Sequence, residues 1–537
     1  MRNTGLADTA WLVAKGVKLK ATNTFIRVPL LAKGIDPAPG WTRSDYLIIG
    51  ALTAVALALR IPGLDQGMWI DELATLYSFV RLPAVAIINA VGATNNHVLY
   101  SLMAHYAVSW LGESAWTLRL PALVFGVAAI PALYHLGRQV AGRKEAFLVA
   151  LFMTLNYQFV WYSQNARGYT GLLLGAILAS ILFIRLLAAT RPSIGLILAY
   201  AVVAALTAWI HLTAVFVFLA HALIWLALAS KPNREDRHAA VMPTFMALLL
   251  AGSFTLALYA PTFWSENNQF DDVSDGTSGF VAEWEDASSH VLSAATTWVM
   301  KEYAQGLQRS IPGGWPVVVL VVLVLLSGIA SYLRQGVAVA GLLLLPALIT
   351  ILVIYSRGAL FFPRFLFSST GFLMLVAVRG GFVTAKLCLP FLSRRSLLLI
   401  GSCVALASAM LIPAAWKPKQ DFTGVAEFIA QHRLPDDALL CMAGARFPLQ
   451  VFMGIDCDAL YFLTGLERIE ARHERIWMIY TLPTHFEAQA PQIWKRVQKS
   501  GDYVKIRQFD GSLNGGDIIV LLKSPPQPGI SPGQESR

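Results

Sequence analysis

Charge is scarce in this chain. Only 14% of its 537 residues are charged while 56% are hydrophobic, where soluble domains carry roughly a quarter charged residues. That shortage excludes an ordinary soluble fold for most of the length. With a mean hydropathy of +0.57, it places the chain in a bilayer. Cysteine is scarce too. Cys388, Cys403, Cys441 and Cys457 are too few for a disulfide scaffold and lack zinc-ligand spacing. Residues 1–45 contain no apolar core long enough for a cleavable signal peptide and read as a cytoplasmic tail. The formal net charge is +10, yet no basic stripe interleaved with aromatics appears. Much of the excess sits in that tail and in short gaps between apolar runs, where it sets orientation. This argues against a nucleic-acid partner.

Long apolar runs are what the chain has in quantity. They occur near 46–62, 116–137, 146–162, 169–187, 193–209, 211–230, 241–262, 314–333, 337–355, 361–379 and 396–415, which predicts about 11 transmembrane helices. Arg138, Arg143 and Lys144, then Arg185 with Arg191, then Lys231, Arg234 and Arg237 mark cytoplasmic gaps. The 264–312 loop is acidic and belongs outside. These constraints agree with a cytoplasmic N-terminus only if the shorter run Val98–Leu111 does not cross. It therefore reads as a juxtamembrane helix in a first external loop of about 63–115.

After residue 415 the composition becomes that of a soluble domain. Strands are expected at Leu439–Met442, Arg475–Tyr480, Tyr503–Ile506 and Ile518–Leu522, and helices at Phe422–His432 and Glu487–Lys499. The whole predicts an α-helical polytopic membrane domain over 46–415 with a small external α/β domain at 416–523 and a disordered tail at 524–537. Cys441 and Cys457 fall in that domain, as a disulfide or as two buried thiols.

By this topology several polar residues converge on the external face. The first loop carries Asp71, Glu72, Asn95, Asn96 and His97. The third span ends at Tyr162-Ser163-Gln164-Asn165-Ala166-Arg167-Gly168-Tyr169, the fifth and sixth meet at His211, and the tenth opens at Phe361-Phe362-Pro363-Arg364-Phe365. Carboxylates, histidines and two arginines beside a bilayer suit binding a phosphate and moving a proton. Each residue also has a plainer reading. Arg167 and Arg364 can anchor to headgroups, His97 can cap a helix and His211 can sit satisfied between helices. His105, His135 and His221 read as structural.

Trp69-x-Asp71-Glu72, Asn96-His97-Val98-Leu99-Tyr100 and Leu118-Arg119-Leu120-Pro121 open an ordered set that continues with the 162–169 run, His211 and Arg364-Phe365. Over about 46–380 this set resembles membrane glycosyltransferases of the GT-C class, nearest the protein O-mannosyltransferase and lipid A aminoarabinose transferase superfamily. Two departures stand out: Val98-Leu99 replaces a proline pair, and Phe365 replaces a tyrosine. The resemblance implies a seven-span module with a long first external loop, and transfer of a sugar from a polyprenyl-phosphate donor to an acceptor on the outer side. It makes Asp71 the base that deprotonates an acceptor hydroxyl, and gives the donor phosphate to Arg167 and Arg364, with Tyr169 beside them.

On this reading the leaving phosphate is stabilised by arginine forks, a carboxylate takes the acceptor proton, and in-line attack inverts the sugar carbon. Glu72 either orients Asp71 or holds a divalent cation. Oxygen ligands favour magnesium, calcium or manganese, and His97 and His211 would permit zinc. Asn96, His97 and His211 remain candidates for the acceptor side. A lipid, polysaccharide or protein acceptor fits equally. A flippase for lipid-linked sugars is the rival reading, but it predicts inverted repeats and midplane polar groups, neither of which is seen. A non-catalytic subunit of an envelope complex would leave the Asp-Glu pair without a task.

Overall fold

The computed structural model describes residues 36–90, 96–189, 191–230, 235–264, 314–356, 363–513 and 515–524. Among them, eight helices are long and apolar enough to cross a membrane: Ala115–Val140, Tyr169–Ala188, Leu212–Ala229, Val241–Pro261, Pro316–Gln335, Val337–Ser356, Arg364–Cys388 and Arg394–Ala415. The chain is a multi-pass membrane protein. The expected count of 11 is not reached by length and composition. Arg43–Arg60 carries Arg43, Asp45 and Arg60 within its 18 residues, and Ile194–Ile210 has 17 residues. The expected span 146–162 is a pair, Arg143–Leu155 and Tyr157–Ser163, bent by 58°. The break is at Asn156, whose backbone is extended and whose side chain accepts from the Gln158 N–H, a local bond that competes with helix continuation.

Val98–Leu111 is a helix of 14 residues, about 21 Å long, against a hydrocarbon core of about 30 Å. At that length it falls short of the core thickness. It packs on Ala115–Val140, and its Tyr100 hydroxyl donates to the Leu118 carbonyl at 2.8 Å. At the other end of that long helix, buried Asp45 pairs with Arg138 at 3.0 Å and Arg143 at 2.9 Å. Close helix contact elsewhere depends on glycine: a Cβ at Gly328 or Gly380 would collide with the backbone carbonyls of Val376 and Val324. The acidic 264–312 loop, Asn95, Phe361-Phe362, most of the 1–45 segment and nearly all of the 524–537 tail lie outside the described residues.

The C-terminal region holds four strands, β1 Ala438–Met442, β2 Ile476–Tyr480, β3 Tyr503–Phe509 and β4 Ile518–Lys523. Their order is β1-β2-β4-β3, with β1 parallel to β2 and the other pairings antiparallel. Strand β2, Ile-Trp-Met-Ile-Tyr, is buried along its whole length, as a central strand covered on both faces must be. Helix Phe422–His432 packs Phe422, Val425, Phe428 and Ile429 on one face. Phe486, Ile493 and Val497 cover the other. The expected Glu487–Lys499 helix is instead Pro483–Gln489 followed by Pro491–Lys499, because Pro491 lacks the N–H that would continue the first helix. A disulfide joins Cys441 to Cys457.

Candidate active site

The loop after Arg60 runs into a short helix, Ile70–Thr75. Successive residues on a helix point roughly 100° apart, so Asp71 and Glu72 cannot share a face. Glu72 turns inward and is fully buried. Its Oε1 accepts from Arg119 Nε at 2.7 Å and from the Ala166 N–H at 2.7 Å. Its Oε2 accepts from Arg119 Nη2 at 2.5 Å and from the Trp69 N–H at 3.4 Å. The rest of the Arg119 guanidinium closes the preceding loop, donating to the carbonyls of Leu64 at 2.9 Å, Gln66 at 2.8 Å and Gly67 at 3.2 Å. Lys419 Nζ, 4.0 Å from Glu72 Oε1, donates to the Gln164 carbonyl at 2.5 Å. Burial alone would raise the Glu72 pKa, but Arg119 and Lys419 overcome it and hold the carboxylate below its usual range.

Asp71 turns the other way. Its side chain is 20% exposed, and its Oδ2 lies 3.3 Å from Arg364 Nη1, on a side chain 29% exposed. Arg364 belongs to the 3₁₀ turn Pro363–Ser369 that leads into the Thr370–Cys388 helix. Arg167 reaches the Ile70–Thr75 helix from another direction: buried, it donates to Thr75 Oγ1 at 3.1 Å. Its Nη2 is 3.3 Å from His97 Nε2, while His97 Nδ1 accepts from the Gly168 N–H at 2.7 Å. Burial first, then the charges of Arg167, His211 and Arg364, push His97 well below its usual pKa, so it is neutral. The His211 ring lies 4.4 Å from the His97 ring, tilted by 46°, and the Tyr169 ring lies 5.4 Å from His211. Segments 71–75, 97, 162–169, 211 and 364 therefore meet in one place.

Not every expected residue joins them. Asn96 closes its own loop, donating to the carbonyls of Ile87 and Ala90 at 3.1 Å and accepting from Ser101 Oγ at 2.9 Å. Its amide is engaged away from the Asp71–Arg364 pair. Glu72, His97 and His211 do not form a metal-binding group: no cluster of three or more His, Cys, Asp or Glu suited to a metal exists among the described residues. The reason is Arg119, which occupies both Glu72 oxygens. With Glu72 so engaged, these three side chains do not fit a resident cation.

Arg119 and Lys419 carry roles that sequence reasoning missed. Arg119 lies in the Leu118-Arg119-Leu120-Pro121 run, which assigns it no partner, and no motif marks Lys419. His105, His135 and His221 are bonded within the fold, to the Val80 carbonyl, to Trp41 and to Tyr200 respectively.

No protein-family model matches the chain, and no curated relative matches its sequence. Among solved structures it is similar to ArnT from Cupriavidus metallidurans in the apo state, 11% identical with a TM-score of 0.46, over 90% of this chain and 98% of that one. The same protein bound to undecaprenyl phosphate gives 10% identity and a TM-score of 0.44, over 91% and 100%. The archaeal oligosaccharyltransferase AglB from Archaeoglobus fulgidus, in complex with an inhibitory peptide and a dolichol-phosphate, gives 11% and 0.46, over 89% and 74%. Both are GT-C glycosyltransferases, the class that the sequence motifs resemble. Likeness at this level carries no argument about chemistry, which rests on the side chains above.

Proposed function

We propose that this chain is an integral membrane glycosyltransferase that moves a sugar from a polyprenyl-phosphate donor to a cell-envelope acceptor at the external face, with inversion. The observation that carries the reading is the division of labour between two adjacent carboxylates. Glu72 is locked in a buried ion pair, while Asp71 is left partly exposed opposite Arg364, with Arg167 bonded to the same short helix. A lipid-linked donor keeps its tail in the bilayer and its phosphate at the interface. Arg364, and Arg167 behind it, supply the cationic surface for that phosphate. When the donor's phosphate draws Arg364 toward itself, Asp71 is released to accept the proton of the incoming hydroxyl. The sugar C1–O bond to phosphate breaks as the acceptor oxygen attacks from the opposite side. The phosphate leaves as an anion, and the displaced proton resides on Asp71.

The Cys441–Cys457 disulfide supports an external location for the C-terminal domain, since such bonds persist in oxidising compartments. Neutral His97, whose Nδ1 accepts from the Gly168 N–H, is a fixed wall of the turn that carries Arg167 rather than a base. Donor sugar and acceptor are identified together by mass spectrometry of envelope glycolipids and glycoproteins from cells with and without the gene. A sugar residue lost with the gene and restored by the wild-type chain is the expected result. Identical spectra would sink the proposal.

A further inference from the structure

The two residues flanking Asp71 are both held by the segment that begins the C-terminal domain. On one side, the Ile70 side chain is packed in that domain's core with Phe422 and Val425, and its N–H donates to Gln420 Oε1 at 3.2 Å. Gln420 is fixed in turn by its Nε2 on Thr481 Oγ1 at 2.9 Å, just past β2. On the other side, Glu72 faces Lys419 at 4.0 Å. Lys419 is buried, its amine donates to the Gln164 carbonyl at 2.5 Å, and it sits 5.1 Å over the Trp161 ring. Its own carbonyl accepts the Leu513 N–H at 3.2 Å, tying it to the loop before β4.

A lysine is an expensive residue to bury. Its site already contains Arg119, so the cluster of Glu72, Arg119 and Lys419 has one more cation than anion. Fold stability alone does not call for the second cation, because Arg119 satisfies both Glu72 oxygens. Glu72 already takes the Ala166 N–H; what Lys419 adds is a second tie between the Glu72 corner and the Gln164 turn that leads to Arg167, and one that joins both to the start of the C-terminal domain. We infer that Lys419, seconded by Gln420, is a positioning residue: through Glu72, Ile70 and the 164–167 turn it fixes where Asp71 stands relative to Arg364 and Arg167. The C-terminal domain is then a working part of the transferase. The inference rests on the functional reading above.

The test uses the full-length chain purified in detergent and the same variants in cells lacking the native gene. For Lys419→Met we expect sugar incorporation to fall at least about tenfold, as misplacement of a reacting group does, while undecaprenyl phosphate binds within about twofold of wild type. The melting temperature stays level or rises, because a desolvated cation has been removed. Amide hydrogen exchange quickens over residues 63–75. Gln420→Ala is expected to quicken the same segment. Unchanged incorporation and exchange would overturn the inference, and so would a loss of activity matched by a fall in melting temperature, which marks a merely structural lysine. If the wild-type chain itself fails to bind undecaprenyl phosphate, the functional reading falls. The exchange measurement then decides for Lys419 alone, quicker exchange confined to 63–75 supporting the positioning role and unchanged exchange refuting it.

Discussion

Asp71 and Arg364 stand 293 positions apart in the chain and 3.3 Å apart across the site. The contact is partly solvent-exposed on both sides, so it contributes little to stability, on the order of 0–1 kcal/mol. A pair that holds the fold together would be buried, as Glu72 and Arg119 are. A pair that must open for a substrate is placed as this one is.

Arg364→Ala and Arg167→Ala are expected to weaken undecaprenyl phosphate binding by on the order of 2–3 kcal/mol each, the scale of a charge-assisted hydrogen bond. Lysine at either position restores only part, since the planar fork is lost. Titration of the purified variants with that lipid measures this. Full recovery by lysine would indicate a headgroup anchor instead.

Glu72→Gln and Arg119→Met are expected to behave as folding mutants. Each leaves a buried partner uncompensated, at a cost of about 3–5 kcal/mol, seen as loss of folded protein on size exclusion and a lowered melting temperature. The double variant should recover part of that loss, because neither Glu72 nor Arg119 is left without the other, and the Lys419 amine that stays buried beside them can shed its proton. A stable, inactive Glu72→Gln would return Glu72 to the chemistry.

Burial pulls the Lys419 amine down to about 7 in the folded chain, from 10.5, with Glu72 opposing and Arg119 adding to the shift. Between those values the unfolded chain holds a proton that the folded chain has released, so stability rises with pH. From pH 6 to pH 9 the gain from this group is on the order of 2–3 kcal/mol. Thermal melts across that range should show it, and Lys419→Met should flatten the slope. An unchanged slope in the variant would assign the pH dependence to another group.

Sidedness is tested with single cysteines at Lys144 and Lys495, both exposed, in a chain lacking free Cys388 and Cys403 but keeping the Cys441–Cys457 disulfide. In intact cells an impermeant maleimide should label the cysteine at 495 and spare the one at 144. The reverse pattern would put the C-terminal domain in the cytoplasm.

Much of the architecture was legible because it is written in local period. The four strands and helix Phe422–His432 fall within a few residues of expectation, since alternation and apolar runs are short-range signals. The bend at Asn156 and the break at Pro491 were readable in principle from single residues, yet the apolar runs around them masked both. Asp71, Arg167 and Arg364 could be nominated as polar residues at one membrane face. Their partners could not. That Glu72 belongs to Arg119, 47 positions on, and to Lys419 near the far end of the chain is a fact of tertiary packing. Nothing in the spacing of those residues encodes it, and so the ion pair that holds Glu72 could not be read from the sequence.

In the proposed reaction Asp71 takes the proton from the acceptor hydroxyl. Asp71→Asn keeps the side chain's shape and removes the base, so the most direct measurement is sugar incorporation and undecaprenyl phosphate binding for that one variant, side by side with wild type. Incorporation should be lower by at least about 100-fold with the protein folded and the lipid still bound. Incorporation within a few-fold of wild type would contradict it.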